Sequence, residues 1–161
     1  MVEIEISDRQ PDRSVDTRPL RRAVRQVLEG EGIGRALISL ALVDDAEMRH
    51  LNRTWLGHDW PTDVLSFCLE QAEGHVEGQI VVSVETAAAA APRYGWAPSD
   101  ELLLYVIHGA LHLAGHDDGE PNQAALMRAR ERHYLAPFGL TPQSRPASQR
   151  LELSCPSEAP A

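Results

Sequence analysis

The chain opens on a period-two alternation: Val2, Ile4 and Ile6 are separated by Glu3 and Glu5. Successive side chains of a strand point to opposite faces, so this stretch is expected to be a short, half-buried strand. A polar loop from Ser7 to Thr17 follows, and Pro19 sits where a first helical turn tolerates a residue without an N–H. From Leu20 the period becomes helical. Leu20, Ala23, Val24, Val27 and Leu28 share one face, and Gly30 offers a stop. Ala36 to Val43 is an apolar run bounded by Gly34 and Asp44, the pattern of a buried strand. Asp44 or Asp45 is placed to cap the helix AEMRHLNRTW, with Met48, Leu51 and Trp55 on its inner side and Gly57 at its end.

Pro61-Thr62-Asp63 is turn chemistry that leads into a strand at Val64-Leu65-Ser66-Phe67. A turn around Gly74 separates it from a strand at Gly78 to Ser83. Val84 to Tyr94 is alanine-rich and predicted helical, closing at Gly95. Ser99 is expected to cap a long apolar helix that stops at Gly115, and a last helix runs from near Pro121 to about Tyr134. The predicted order is β-α-β-α-β-β-α-α-α. Two strands adjacent in sequence form a hairpin, which makes the sheet mixed. The expected class is α+β, with roughly four strands and about five helices in a single domain over residues 1–140. Residues 141–161 hold four of the eleven prolines and several serines, and are expected to be a disordered tail.

Composition narrows the class. A length of 161 residues suits one domain, and 43% hydrophobic with 24% charged residues is a soluble, globular balance. The start MVEIEIS has neither the basic residues nor the apolar stretch of a signal peptide. No segment reaches the ~18 apolar residues of a membrane span. A cytoplasmic protein is expected. Fifteen basic residues against 24 acidic ones give a net charge of −9, which excludes a globally basic nucleic-acid-binding surface. All fifteen are arginine, so any anion contact is made by planar guanidinium forks. Arg18, Arg21, Arg22 and Arg25 repeat at helical spacing opposite the apolar face. That stripe reads either as a solvated face or as a track for phosphates.

The densest chemistry lies in His108-Gly109-Ala110-Leu111-His112-Leu113-Ala114-Gly115-His116-Asp117-Asp118. Two histidines four apart on a helix project from one face, as two ligands of one metal ion must. Gly115 can break the helix and turn the chain back, bringing His116, Asp117 and Asp118 toward the same point. Three protein ligands with one open position is the arrangement of a catalytic rather than a structural site. In the HExxH helices of metalloproteases a glutamate general base follows the first histidine. Here that position is Gly109, which disfavours peptide hydrolysis.

These residues resemble the YbeY endoribonucleases, whose hallmark is H-G-x-L-H-L-x-G-(H/Y)-D-H. His108 to Asp117 matches it position for position. Leu51-Asn52 and Pro61-Thr62-Asp63-Val64-Leu65-Ser66-Phe67 match a second block, L-N-x-x-(Y/F)-R followed by P-T-(D/N)-V-L-S-F. Gly78 to Ser83 is similar to the family's G-D-I-x-I-S. The resemblance implies an α+β fold and a divalent ion, zinc, held by His108, His112 and Asp118. It implies an endoribonuclease specific for single-stranded RNA that acts in maturation of ribosomal RNA, at the 16S 3′ end, and in ribosome assembly. The implied partners are ribosomal RNA and the small ribosomal subunit or its assembly proteins, with neither DNA nor membrane.

Three departures qualify this. The hallmark's last histidine is Asp118, an acceptable oxygen ligand, with His116 as a competitor for third ligand. A His-His-Asp set is harder and more anionic than three histidines and accepts other divalent ions. The family's arginine falls at Leu56, with Arg53 one turn earlier, and the aspartate of G-D-I is Gln79. His116 and Asp117 are candidates for orienting a ligand or for acid–base work; the general base is unassigned. Thr62 and Asp63 either shape the cleft or form a plain turn. Arg18, Arg21, Arg22, Arg25, Arg49 and Arg53 are the candidate RNA contacts. Two alternatives stand beside the nuclease: a non-catalytic ribosome-associated binding factor, and a metallohydrolase on another substrate.

Overall fold

Alternation along each strand decides which face of the sheet receives which side chain. In the computed structural model, which describes residues 1–10, 15–143 and 145, four strands form one sheet. They are β1 (Val2–Asp8), β2 (Arg35–Val43), β3 (Val64–Ala72) and β4 (His75–Ser83), in the order β1-β2-β4-β3. β1 and β4 run parallel to β2 on either side of it, and β3 pairs antiparallel with β4 as a hairpin turning at Gly74. The sheet is therefore mixed, as the adjacent strands predict. The expected tail falls outside the described residues, apart from 141–143 and 145.

Five α-helices cover the sheet: α1 (Arg18–Gly30), α2 (Asp45–Leu56), α3 (Val84–Ala90), α4 (Pro98–Leu113) and α5 (Pro121–Leu135). Ile38, Leu40, Leu42, Val64, Ile80 and Val82 face the main core with α1 and α4. Their strand neighbours Ala41, Val43, Leu65, Phe67 and Val81 face the other way, where Met48 of α2 covers them. All five apolar positions predicted for α1 are buried. α4 is buried at every residue from Glu101 to Leu111, since it packs against β3, β4, α1, α3 and α5.

Gly109 makes that packing close. A Cβ there would lie 2.8 Å from Ile80 Cγ2 and 3.0 Å from Ser66 Oγ. The Ser66 hydroxyl donates to the Gly109 carbonyl at 3.2 Å. The residue after His108 thus faces the sheet, and a glutamate could not enter that space.

Local expectations fail in three places. Ser99 does not cap α4: Pro98 takes the first helical position, where its fixed φ suits the turn, and Asp100 accepts the Ala97 N–H at 3.0 Å. α3 stops at Ala90 and becomes a 3-10 turn over Ala91–Tyr94, since Pro92 has no N–H to continue the ladder. Trp55 is 62% exposed, leaning edge-on toward Phe67, while Asn52 is fully buried in its stead. Asn52 follows Met48 by four residues, and its Nδ2 donates to the Trp60 carbonyl at 2.8 Å, so the loop after α2 meets its amide donor, while its buried Oδ1 has no hydrogen-bond partner among the described residues. Among the described residues no helix is long and apolar enough to cross a membrane.

Candidate metal centre

The helical period brings His108 and His112 together, with their Nε2 atoms 3.0 Å apart. α4 then ends at Leu113, and two residues on Gly115 takes a φ of +106°, which L side chains rarely adopt. The His116 N–H donates back to the Leu111 carbonyl at 3.0 Å, and the chain reverses. Asp118 returns to the pair. Its Oδ2 lies 3.6 Å from His108 Nε2 and its Oδ1 3.7 Å from His112 Nε2. Donors held about 2.0–2.2 Å from a tetrahedral ion stand roughly 3.3–3.5 Å apart. The three separations bracket that value, so the donor set fits one divalent ion.

His108 is 1% exposed, and its other nitrogen is committed. Nδ1 donates to Glu131 Oε1 at 2.7 Å, which leaves the Nε2 lone pair facing His112 and Asp118. A carboxylate behind a histidine in this way fixes its tautomer and raises its basicity as a ligand. Glu131 was absent from the sequence-derived candidates. Its signal was periodic: Met127, Glu131, Tyr134 and Leu135 form the buried stripe of α5, and Glu131 is the acid within it.

His116 turns away from this cluster. Its Nε2 pairs with Glu31, just beyond α1. Glu31 also accepts the Tyr134 hydroxyl at 2.5 Å and lies 3.7 Å from Arg130. Burial pushes the Glu31 carboxyl up, but the hydroxyl, the imidazole and the guanidinium outweigh it and hold the group below the usual range. Burial and the Glu31 carboxylate together push Tyr134 up to about 12. Asp117 accepts the Asp118 N–H at 2.8 Å and so braces the loop that carries the third donor.

A cavity of about 910 Å³ opens beside His108, Asp118 and Glu131. Trp60, Pro61, Thr62 and Asp63 line one part of it, and Arg93, Arg128, Arg132 and Arg145 also line it. The six predicted arginines are not among its lining residues. Arg18 pairs with Asp16, Arg21 and Arg25 donate to the Ile4 and Val2 carbonyls, and Arg22 lies 4.5 Å from the Phe138 ring centroid. Arg49 and Arg53 both meet Asp59, at 2.9 and 3.8 Å. Leu56 packs beside Leu51 onto the apolar cluster under α2.

A family model described as Endoribonuclease YbeY matches residues 5–139. An Endoribonuclease YbeY of Rhodopirellula baltica is 47% identical over 103 residues, covering 63% of this chain and 53% of that one. The chain thus spans about half the length of that relative. Endoribonucleases YbeY of Salinibacter ruber and Moorella thermoacetica are 38% and 42% identical, over 78% and 75% of this chain and 85% of each relative. The solution structure of the Thermotoga maritima protein TM1509 superposes with a TM-score of 0.58 at 25% identity, covering 86% of this chain and 92% of that one. With the family model spanning most of its length, this chain belongs to the YbeY endoribonuclease family.

Proposed function

We propose that this protein is a metal-dependent endoribonuclease that cuts single-stranded RNA during maturation of ribosomal RNA. The observation that carries the reading is the convergence of His108, His112 and Asp118 within 3.0–3.7 Å, backed by Glu131 and opening on a cavity. His108, His112 and Asp118 would hold the ion, with zinc first among the candidates and a hard oxygen ligand admitting others. When bound, such an ion polarises a phosphoryl oxygen and lowers the pKa of coordinated water.

The chain's own residues do the rest. Glu131 holds the proton on His108 Nδ1, and Asp117 fixes the backbone that presents Asp118. Arg93, Arg128 and Arg132 offer guanidinium forks to phosphates along the groove. Trp60, 41% exposed at the rim, offers a face on which a base can stack. Thr62 and Asp63 shape the wall beside it. A net charge of −9 makes RNA binding depend on these local cations, and on a partner such as the small ribosomal subunit or its assembly proteins. That setting is cytoplasmic.

Elemental analysis of wild type, D118A and H116A, alongside cleavage of labelled single-stranded RNA, tests the reading. One equivalent of metal is expected in wild type and H116A, none in D118A, and cleavage only in the loaded proteins. A wild type that stays empty after incubation with divalent ions overturns it. Leu56 favours a second reading, a binding factor without nuclease activity, because an apolar side chain stands where the related motif carries arginine. L56R should then raise cleavage from nothing measurable. A wild type already as fast as L56R excludes that reading.

A further inference from the structure

The groove continues past the metal centre to a second buried acid. Glu101 precedes His108 by seven residues on α4, so the two share a face about 10.5 Å apart along the axis. Glu101 is fully buried and lines the same cavity. Its Oε2 accepts from Arg145 Nη1, while its Oε1 has no hydrogen-bond partner. The Arg145 guanidinium stacks on Tyr94, 3.7 Å from the ring centroid, and lies 5.1 Å from that of Trp96. Its own Nε and Nη2 are buried and unpaired.

A carboxylate with two oxygens to satisfy thus meets a planar N–H donor, itself stacked on an aromatic ring, that satisfies one of them. Arg145 fits the chemistry of the pocket but not all of its geometry. Among the nucleobases, guanine alone offers two adjacent donors on its Watson–Crick edge, N1–H and the N2 amino group. That edge is itself a guanidine unit. Adenine and cytosine place an acceptor beside their amino group, and uracil flanks its N3–H with two carbonyls; each would set a lone pair against Glu101.

Building on the nuclease reading, we propose that Glu101, Tyr94 and Trp96 form a guanine subsite for single-stranded RNA. Arg145 occupies it as a self-ligand when RNA is absent. The base would stack on Tyr94 and donate N1–H and N2–H to the two Glu101 oxygens, one or two nucleotides from the phosphate at the metal centre. Arg145 competes for the same carboxylate and lowers apparent affinity by the fraction of molecules in which it is seated.

The test uses the full chain. GMP, IMP and AMP are titrated against Trp96 fluorescence in wild type and R145A, with W96F to assign the signal. GMP should bind best, and IMP, which lacks the N2 amino group, about ten-fold more weakly because one buried acceptor stays unpaired. R145A should tighten GMP binding by about ten-fold if the site is otherwise open in a tenth of molecules. E101Q should erase the GMP-to-IMP ratio; should it fail to fold, R145A alone decides. Equal binding of GMP and AMP to both wild type and R145A overturns the proposal.

A second arm maps cuts in single-stranded RNA carrying one guanosine or one inosine. A guanosine at a fixed offset from the cut, lost with inosine, supports the subsite. GMP binding without any base bias in the cuts overturns its role in RNA recognition and leaves a site for a free guanine nucleotide. Glu101-dependent GMP binding with no cleavage at all fails the nuclease reading and keeps the base pocket.

Discussion

A buried imidazole has two nitrogens to satisfy, and at His108 they are divided between Glu131 and the facing pair of donors. The value of the division lies in the tautomer. With the proton held on Nδ1, Nε2 presents a lone pair without first losing a proton. E131Q keeps a similar shape but loses the charge that holds this proton. It should weaken metal affinity by about 10–100-fold, read by competition with a chromogenic chelator; unchanged affinity would mean that Glu131 only packs. His116 shows the converse: two residues from Asp118 and equally able to ligate, it is held by Glu31. Both lie just past Gly115, and spacing alone did not separate them.

α4 crosses the sheet at close quarters at Gly109. Local and tertiary effects oppose each other at Gly109. Alanine is the better helix former by about 1 kcal/mol. Yet its Cβ would come within 2.8 Å of Ile80 and 3.0 Å of Ser66, tighter than carbon contacts allow. G109A should therefore destabilise the fold by about 1–3 kcal/mol, seen as a lower urea midpoint with unchanged slope. A raised midpoint would show that the sheet yields at this crossing. The same contact explains why the metalloprotease glutamate has no place here: the position is helical and near the histidines, but it is aimed at β3 and β4.

Across the whole molecule, Glu31 ties the end of α1 to α5 and to the loop that carries Asp118. It is separated from His116 by 85 positions and from Tyr134 by 103. Both titrating partners bear on stability. Glu31, held below its ordinary pKa of 4.5, contributes stability that is present above that unfolded value and lost as pH falls through its lower folded value. Tyr134, raised from 10.0 to about 12, contributes stability that is full below pH 10 and lost as pH rises through 12. Wild type should therefore lose stability between pH 10 and 12, and Y134F should lack that loss. Urea unfolding at steps across this range measures it; parallel decline in both proteins would remove the role of Tyr134.

Much of this was legible because it is local. Periods of two and 3.6 placed the four strands and five helices in order, the hairpin made the sheet mixed, and the i, i+4 histidines followed from the turn of a helix. Glycines that need positive φ marked the ends of α2 and α4. Tertiary structure decided what periodicity leaves equal. It chose Asn52 over Trp55 for burial, because only the folded loop offers Asn52 a carbonyl. It turned Asp118 toward the histidines and His116 toward Glu31. It set Glu131 behind His108, and it drew Arg21 and Arg25 to the carbonyls of β1 while placing Arg93, Arg128 and Arg132 along the groove. Each of these choices depends on a partner far away in the chain. A local pattern can say that a side chain is polar and which helical face it occupies, but not which distant group will meet it there.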